Sequence, residues 1–264
     1  MKCMLAQMEA QCERRPMSTA LTTLERFAAK QAGPHEVMRA LASHPGYFVP
    51  IGFAPTLGRS EFDRIVMLST QGGPPAGELY VFTDEACLDL VSAQPMGSFV
   101  TPVSGIELFC ALPTNQPLKL KVNPGGTLEH FWFVSAEAIS LARLWGRAIR
   151  LETLLANPAL SKDGLHAALR TFEAFTILVH PNDAVATAQG LGGYQNPAMV
   201  FTSPDSFERV LAQAPAMRVE HLGAKALFEL LPRAGVDGIV FNPLGPGPRA
   251  FFPLSLGVSV LQLA

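Results

Sequence analysis

The sequence predicts an α+β fold: two homologous tandem units, each a small mixed β-sheet with helices packed on one side. Three observations predict it. Residues 81–124 and 200–243 align without a gap, one hundred and nineteen positions apart, with thirteen identities over forty-four positions. Nine of the identities fall in short blocks that recur in the same order: Val-Phe-Thr (81–83 and 200–202), Leu-Phe-x-x-Leu-Pro (108–113 and 227–232) and Asn-Pro (123–124 and 242–243); Val91, Ala93, Gln94 and Val100 recur as Val210, Ala212, Gln213 and Val219. Between the blocks, apolar residues at helical spacing alternate with short β-branched runs bounded by Gly and Pro, which is one supersecondary unit built twice. The predicted division is an N-terminal extension and helix over 1–33, a first unit with a linking helix over 34–150, and a second unit over 151–264.

Residues 1–16 read as an extension without an apolar core segment of the secretory type, and Met17 is a second plausible start. Leu21, Leu24, Phe27 and Ala28 place an amphipathic helix over 18–32, which Gly33-Pro34 ends. Pro34 opens a second helix over 35–43. Three strand runs follow, 47–51, 62–68 and 78–82, joined by short glycine-bearing turns that suggest an antiparallel meander.

Asp84 and Glu85 start the next helix, and the matching place in the second unit holds Ser203 and Pro204. Different residues thus serve as cap and first turn at equivalent positions. A short strand (98–101; 217–220) and a second helix around the Leu-Phe-x-x-Leu block come next. The alternation in 118–122 predicts a strand with one wet face. The apolar run ending Ile239-Val240-Phe241 predicts an interior strand. Each unit then turns through glycines and returns as a strand (128–134; 249–254). A helix over 135–150 joins the units. The second unit opens with a helix over 163–172 and a strand over 175–179, and 258–263 is expected to be a closing strand.

Composition narrows the function. The chain is 48% hydrophobic and 16% charged, with a net charge of −2 and a pI near 6.3, so it carries no general attraction for nucleic acid. No apolar run reaches the roughly 18 residues of a spanning helix, and no membrane partner is indicated. Cys3, Cys12, Cys87 and Cys110 lack C-x-x-C spacing and read as thiols of a reducing compartment. His35, His44, His130, His166, His180 and His221 form neither H-x-x-x-H nor H-E-x-x-H, so no metal is indicated. Gly190-Leu191-Gly192-Gly193 lacks the Lys and Ser/Thr of a phosphate loop, and no G-x-S-x-G occurs. No catalytic residue, cofactor or metal is therefore assigned.

The run Gly235-Val236-Asp237-Gly238-Ile239-Val240-Phe241-Asn242-Pro243, following the Val-Phe-Thr strand and the Leu-Phe-x-x-Leu-Pro helix, resembles the SseB family, named for enhanced serine sensitivity in bacteria. The resemblance is clearest over 198–253 and weaker over 47–134. It implies an intracellular, cytoplasmic bacterial protein of two related domains. It also implies protein binding, including near secretion or toxin systems, and it carries no catalytic residues over. The first unit departs from the pattern, with Gln116-Pro117-Leu118 in place of Gly235-Val236-Asp237.

Five residues are singled out as interaction candidates. Asn123 and Asn242 recur at glycine turns whose amides could hold an anion, although Asn-Pro and glycine also serve the turn alone. Arg249 lies just beyond and could pair with a phosphate or carboxylate. Asp237 is either a functional carboxylate or a turn residue bonding its own backbone. Trp132, between Phe131 and Phe133, points opposite to its neighbours and is an interaction anchor if exposed. The expected function is a non-catalytic protein-binding module, a regulator, chaperone or immunity-type partner. The alternative is a small-ligand binder or enzyme using a cleft between the units. The sequence leaves the oligomeric state open.

Overall fold

The computed structural model describes residues 19–51, 78–83, 99–112, 119–123, 130–132, 136–157, 159, 161–172, 174–245 and 248–262. The chain divides into two compact units, Met1–Gly146 and Arg147–Ala264. The fold class is α+β. The division falls inside a helix, where the sequence reading placed it at 150/151.

The first unit begins with α1 (Thr19–Ala28) and α2 (Pro34–Ala42). Their apolar stripes meet: Ala20, Leu21 and Leu24 of α1 and Val37, Met38 and Leu41 of α2 are all buried. Strand β1 (Tyr47–Ile51) follows. Its Tyr47 is fully buried and donates its hydroxyl to Leu41 O at 3.0 Å, and burial pushes the phenol pKa upward. β2 (Glu78–Val81), β3 (Phe99–Val103) and α3 (Gly105–Ala111) come next. Ser104 and Glu107 start α3 with a reciprocal capping box, at 3.2 and 3.0 Å. Gly105 is required there, because a Cβ would lie 2.4 Å from Leu41 O. β4 (Lys119–Val122), β5 (His130–Trp132) and the start of α4 (Ala136–Leu155) follow among the described residues. In β4, Leu120 and Val122 are buried and Lys121 is half-buried, as the alternation predicted.

β1 pairs antiparallel with β3, β2 parallel with β4, and β4 antiparallel with β5. Phe48 and Phe82 exchange backbone hydrogen bonds at 2.8 and 2.9 Å and join the two pieces. The order is therefore β3-β1-β2-β4-β5. The expected strand over 62–68, the helix after Asp84 and the glycine turn after Asn123 lie outside the described residues.

The second unit holds the end of α4, α5 (Lys162–Thr171), β6 (Phe175–Val179), β7 (Ala198–Phe201), α6 (Pro204–Gln213) and β8 (Arg218–Leu222). α7 (Ala224–Leu230), a 3-10 turn (Leu231–Arg233), β9 (Gly238–Phe241), β10 (Ala250–Pro253) and α8 (Ser255–Gln262) follow. The sheet order is β10-β9-β7-β6-β8, with β7 and β9 parallel and every other pair antiparallel.

Strand order and direction are the same in both units, and so is register. Phe48 opposite Phe82 corresponds to Thr176 opposite Phe201, and Val81 opposite Val122 to Val200 opposite Phe241. Tyr47 opposite Val103 corresponds to Phe175 opposite Leu222.

Three expectations change. Helices do not cover one side only in the second unit. One sheet face packs Phe175, Ile177, Val200, Ile239 and Phe241 against α5, α7 and α8. The other packs Leu178, Met199, Phe201 and Val240 against Val210 and Phe207 of α6. All five residues of β6 are buried because both faces are covered. The expected closing strand over 258–263 is helix α8. Leu256 and Val260, four residues apart, share a buried face, so packing overrides the β-preference of Val258 and Val260. Finally, α4 runs to Leu155 rather than stopping at 150, which carries Leu151 and Glu152 into the interior.

His166 on α5 is buried, and among the described residues neither ring nitrogen has a hydrogen-bond partner. Met38 stands 128 positions earlier, the spacing that separates Tyr47 from Phe175, and is buried on α2. His166→Met should therefore stabilise the second unit by about 1 kcal/mol, the order of an unpaired buried polar group. Chemical denaturation checks this; a lowered midpoint would show that the imidazole has a partner.

Candidate functional site

Asn123 and Asn242 each follow the last residue of a strand, β4 and β9, and each has left-handed backbone, with φ of 51° and 48°. Asparagine adopts this conformation more readily than other non-glycine residues. The turn directs the Asn N–H to the neighbouring parallel strand, at Val81 O (2.8 Å) and Val200 O (2.9 Å). It also swings the side chain inward. Oδ1 accepts the amide of Thr83 at 2.9 Å in one unit and of Thr202 at 3.0 Å in the other. Nδ2 donates to the same threonine's Oγ1 at 3.0 and 2.9 Å. Both asparagines are buried. Their recurrence is explained by this clamp across the parallel pair, which engages both atoms of each side-chain amide.

In the second unit the clamp continues into a polar cluster that the sequence reading did not identify. Glu152 is 3% exposed. Its Oε1 accepts from Thr202 Oγ1 at 2.7 Å and Ser203 Oγ at 2.9 Å, with Asn242 Nδ2 at 3.5 Å. A hydroxyl carries one proton, so the shorter bond to Glu152 directs Thr202's, which leaves Oγ1 free to accept from Asn242. Ser203 likewise spends its proton on Glu152 and accepts from Ser206 Oγ at 2.8 Å. Ser203 is the N-cap residue of α6, yet its side chain does not cap the helix. The expected side-chain cap is thus corrected: the hydroxyl serves the carboxylate instead. The N-terminal end of α6 favours negative charge nearby, which is one reason a carboxylate is tolerated inside. Leu24, 128 positions before Glu152, is buried in the first unit. A lone acidic residue in the apolar run Leu151-Glu152-Thr153-Leu154-Leu155, with a Thr-Ser pair after β7, was the available signal.

Asp237 bonds a distant loop, where the turn reading had it bond its own backbone. Its carboxylate accepts the amides of Gln195 at 2.7 Å and Asn196 at 2.9 Å, some forty residues away in the chain. It thereby fastens the glycine loop before β7. That loop needs glycine: Gly190, Gly192 and Gly193 have φ of 64°, 66° and 84°. Gly192 lies under the Phe251 ring, and Gly238 lies under the Tyr194 ring.

Arg249 is exposed just before β10. Leu244, in the turn between β9 and β10, is 46% exposed. Trp132 lies in β5 opposite Leu120, and its side chain lies outside the described residues. The structure thus brings Asn242 together with Glu152, Thr202 and Ser203, and puts Asp237 in a separate clamp. The described histidines serve different places: His44 Nε2 donates to Thr83 O at 3.2 Å, and His221 Nδ1 lies 3.0 Å from Thr176 Oγ1. Among the described residues no group of three or more His, Cys, Asp or Glu could hold a metal ion, and no helix is long and apolar enough to cross a membrane.

Asn242→Ala should cost roughly 2–4 kcal/mol, because it loses buried hydrogen bonds and leaves an alanine at positive φ. Asn242→Gly should recover about 1 kcal/mol of that by relieving the backbone alone. Equal losses in denaturant titrations would show that φ contributes nothing. For the second clamp, Asp237→Ala should speed amide hydrogen exchange at Gln195 and Asn196 while leaving β6 and β7 protected. Unchanged exchange at both amides would rule out the carboxylate as the fastening of the loop.

No protein-family model matches the chain, and no curated protein matches it.

Proposed function

We propose that this protein is a non-catalytic protein-binding module of SseB type, acting as a regulator, chaperone or immunity-type partner in the bacterial cytoplasm, with a link to a secretion or toxin system. One observation carries the reading. Three of the polar side chains singled out from the sequence, Asn123, Asn242 and Asp237, are spent on holding the fold, while the segment between β9 and β10 displays Leu244 and Arg249. Asn123 and Asn242 clamp strand ends, and Asp237 fastens a loop. Leu244 and Arg249, by contrast, are exposed between β9 and β10, Leu244 two residues after the buried Asn242. An exposed apolar residue and an exposed arginine in one inter-strand connection are suited to a protein contact, and arginine is enriched among residues that dominate interface energies. The motif resemblance is strongest over the same segment.

The test is affinity purification of the tagged protein from its native host, followed by mass spectrometry. One stoichiometric protein partner is expected. It should be lost from Leu244→Asp or Arg249→Glu, with the thermal midpoint of each variant unchanged. A partner retained by both variants removes this turn as the binding surface, and Trp132→Ala then tests the other candidate. A protein that comes back alone, and gains stability with a metabolite, belongs to the ligand-binding class instead. A ligand at about a hundred times its dissociation constant adds ~2.7 kcal/mol.

A further inference from the structure

The cluster around Glu152 has the composition of a binding site for a small carboxylate. Three separate segments converge on Glu152 Oε1: Thr202 Oγ1 from the end of β7, Ser203 Oγ from the start of α6, and Asn242 Nδ2 from the turn after β9. Each presents a donor, and Thr202, Ser203 and Asn242 are each at most 1% exposed. Ser206 supports the arrangement from behind, through Ser203. The location is the carboxyl end of the parallel strands β7 and β9, beside the first turn of a ten-residue helix. Open α/β sheets hold anionic ligands at such strand ends, where backbone dipoles and helix starts favour negative charge. Here the anion is part of the chain. Ser203 gives up capping its own helix in order to donate to it.

We propose that Thr202, Ser203 and Asn242 form a carboxylate-binding site whose resident ligand is the chain's own Glu152, delivered by α4. The site is closed to outside anions because it is already filled from within. This rests on the geometry of the cluster and stands or falls separately from the protein-binding reading. Removing the resident ligand opens the site. Glu152→Ala deletes one methylene and the carboxylate, which are the atoms of an acetate ion. Acetate should therefore fit best, formate should fit less well, and benzoate is too large.

The experiment follows the thermal midpoint of the full chain in sodium acetate, formate, benzoate and chloride at matched ionic strength. Glu152→Ala should lower the midpoint by roughly 5–10 °C. Acetate should raise the variant's midpoint with the logarithm of its concentration, the behaviour of a ligand that binds only the folded state. Wild type should not respond to acetate beyond its response to chloride. Glu152→Gln and Glu152→Leu should not respond either, since each fills the space. Should Glu152→Ala fail to fold in chloride, refolding in acetate but not in chloride or benzoate is the same positive result. Equal effects of acetate and chloride on the alanine variant, or an acetate response in Glu152→Leu, would overturn the proposal.

Discussion

The pairing of two parallel strands whose ends must be closed without an exposed edge of polar backbone governs this structure. Parallel strands leave their carboxyl ends side by side, with carbonyls and amides that the ladder no longer satisfies. Here an asparagine in left-handed conformation closes the pair. Its N–H reaches Val81 O or Val200 O, while its side chain returns to the following threonine amide. Asn accomplishes this because its amide offers both a donor and an acceptor and because it tolerates positive φ. Glycine offers only the second property, and aspartate lacks the donor. In the second unit the threonine held by this asparagine leads directly into α6. The same asparagine closure stands in both units at the same strand register.

The second unit adds a charge to that closure. A buried carboxylate is costly unless donors surround it, and breaking such a cluster from one side costs more than the cluster contributes. Glu152 meets that requirement by drawing the hydroxyls of Thr202 and Ser203 and the amide of Asn242 toward one oxygen. The result ties α4 to the sheet by directional bonds rather than by apolar packing alone. It also leaves little uncommitted polar chemistry at the strand ends. What stands outside is the turn carrying Leu244 and Arg249, and the glycine loop held by Asp237.

Much of this was written in local sequence. The ungapped repeat located two units, and Val-Phe-Thr, Leu-Phe-x-x-Leu-Pro and Asn-Pro marked a strand, a helix and a turn that occur at those places in the second unit. β6 matches its predicted span because a continuous β-branched and aromatic run between a helix end and a polar loop admits little else. The α8 segment went the other way. Val258 and Val260 carry strand preference, and only the buried face that Leu256 and Val260 share decides for helix. Helices on one sheet face were expected because amphipathic periodicity says that a helix is half-buried, not which face of which sheet it covers.

The site divides along the same line. From sequence, Asn123 and Asn242 were recognisable as a repeated pair, since identity at fixed spacing is visible in one dimension. Their partners were not: each bond to threonine spans forty positions, and Glu152 lies fifty positions before Thr202. Nor could local sequence separate an Asp237 that bonds its own turn from one that fastens Gln195 and Asn196. Outside α8, the sequence by itself determined which of the described segments become strands, helices and turns, because those choices depend on periodicity, caps and φ preferences of neighbouring residues. Only the tertiary structure decided which polar side chains are spent and which are displayed, because that depends on donors and acceptors brought together from distant parts of the chain.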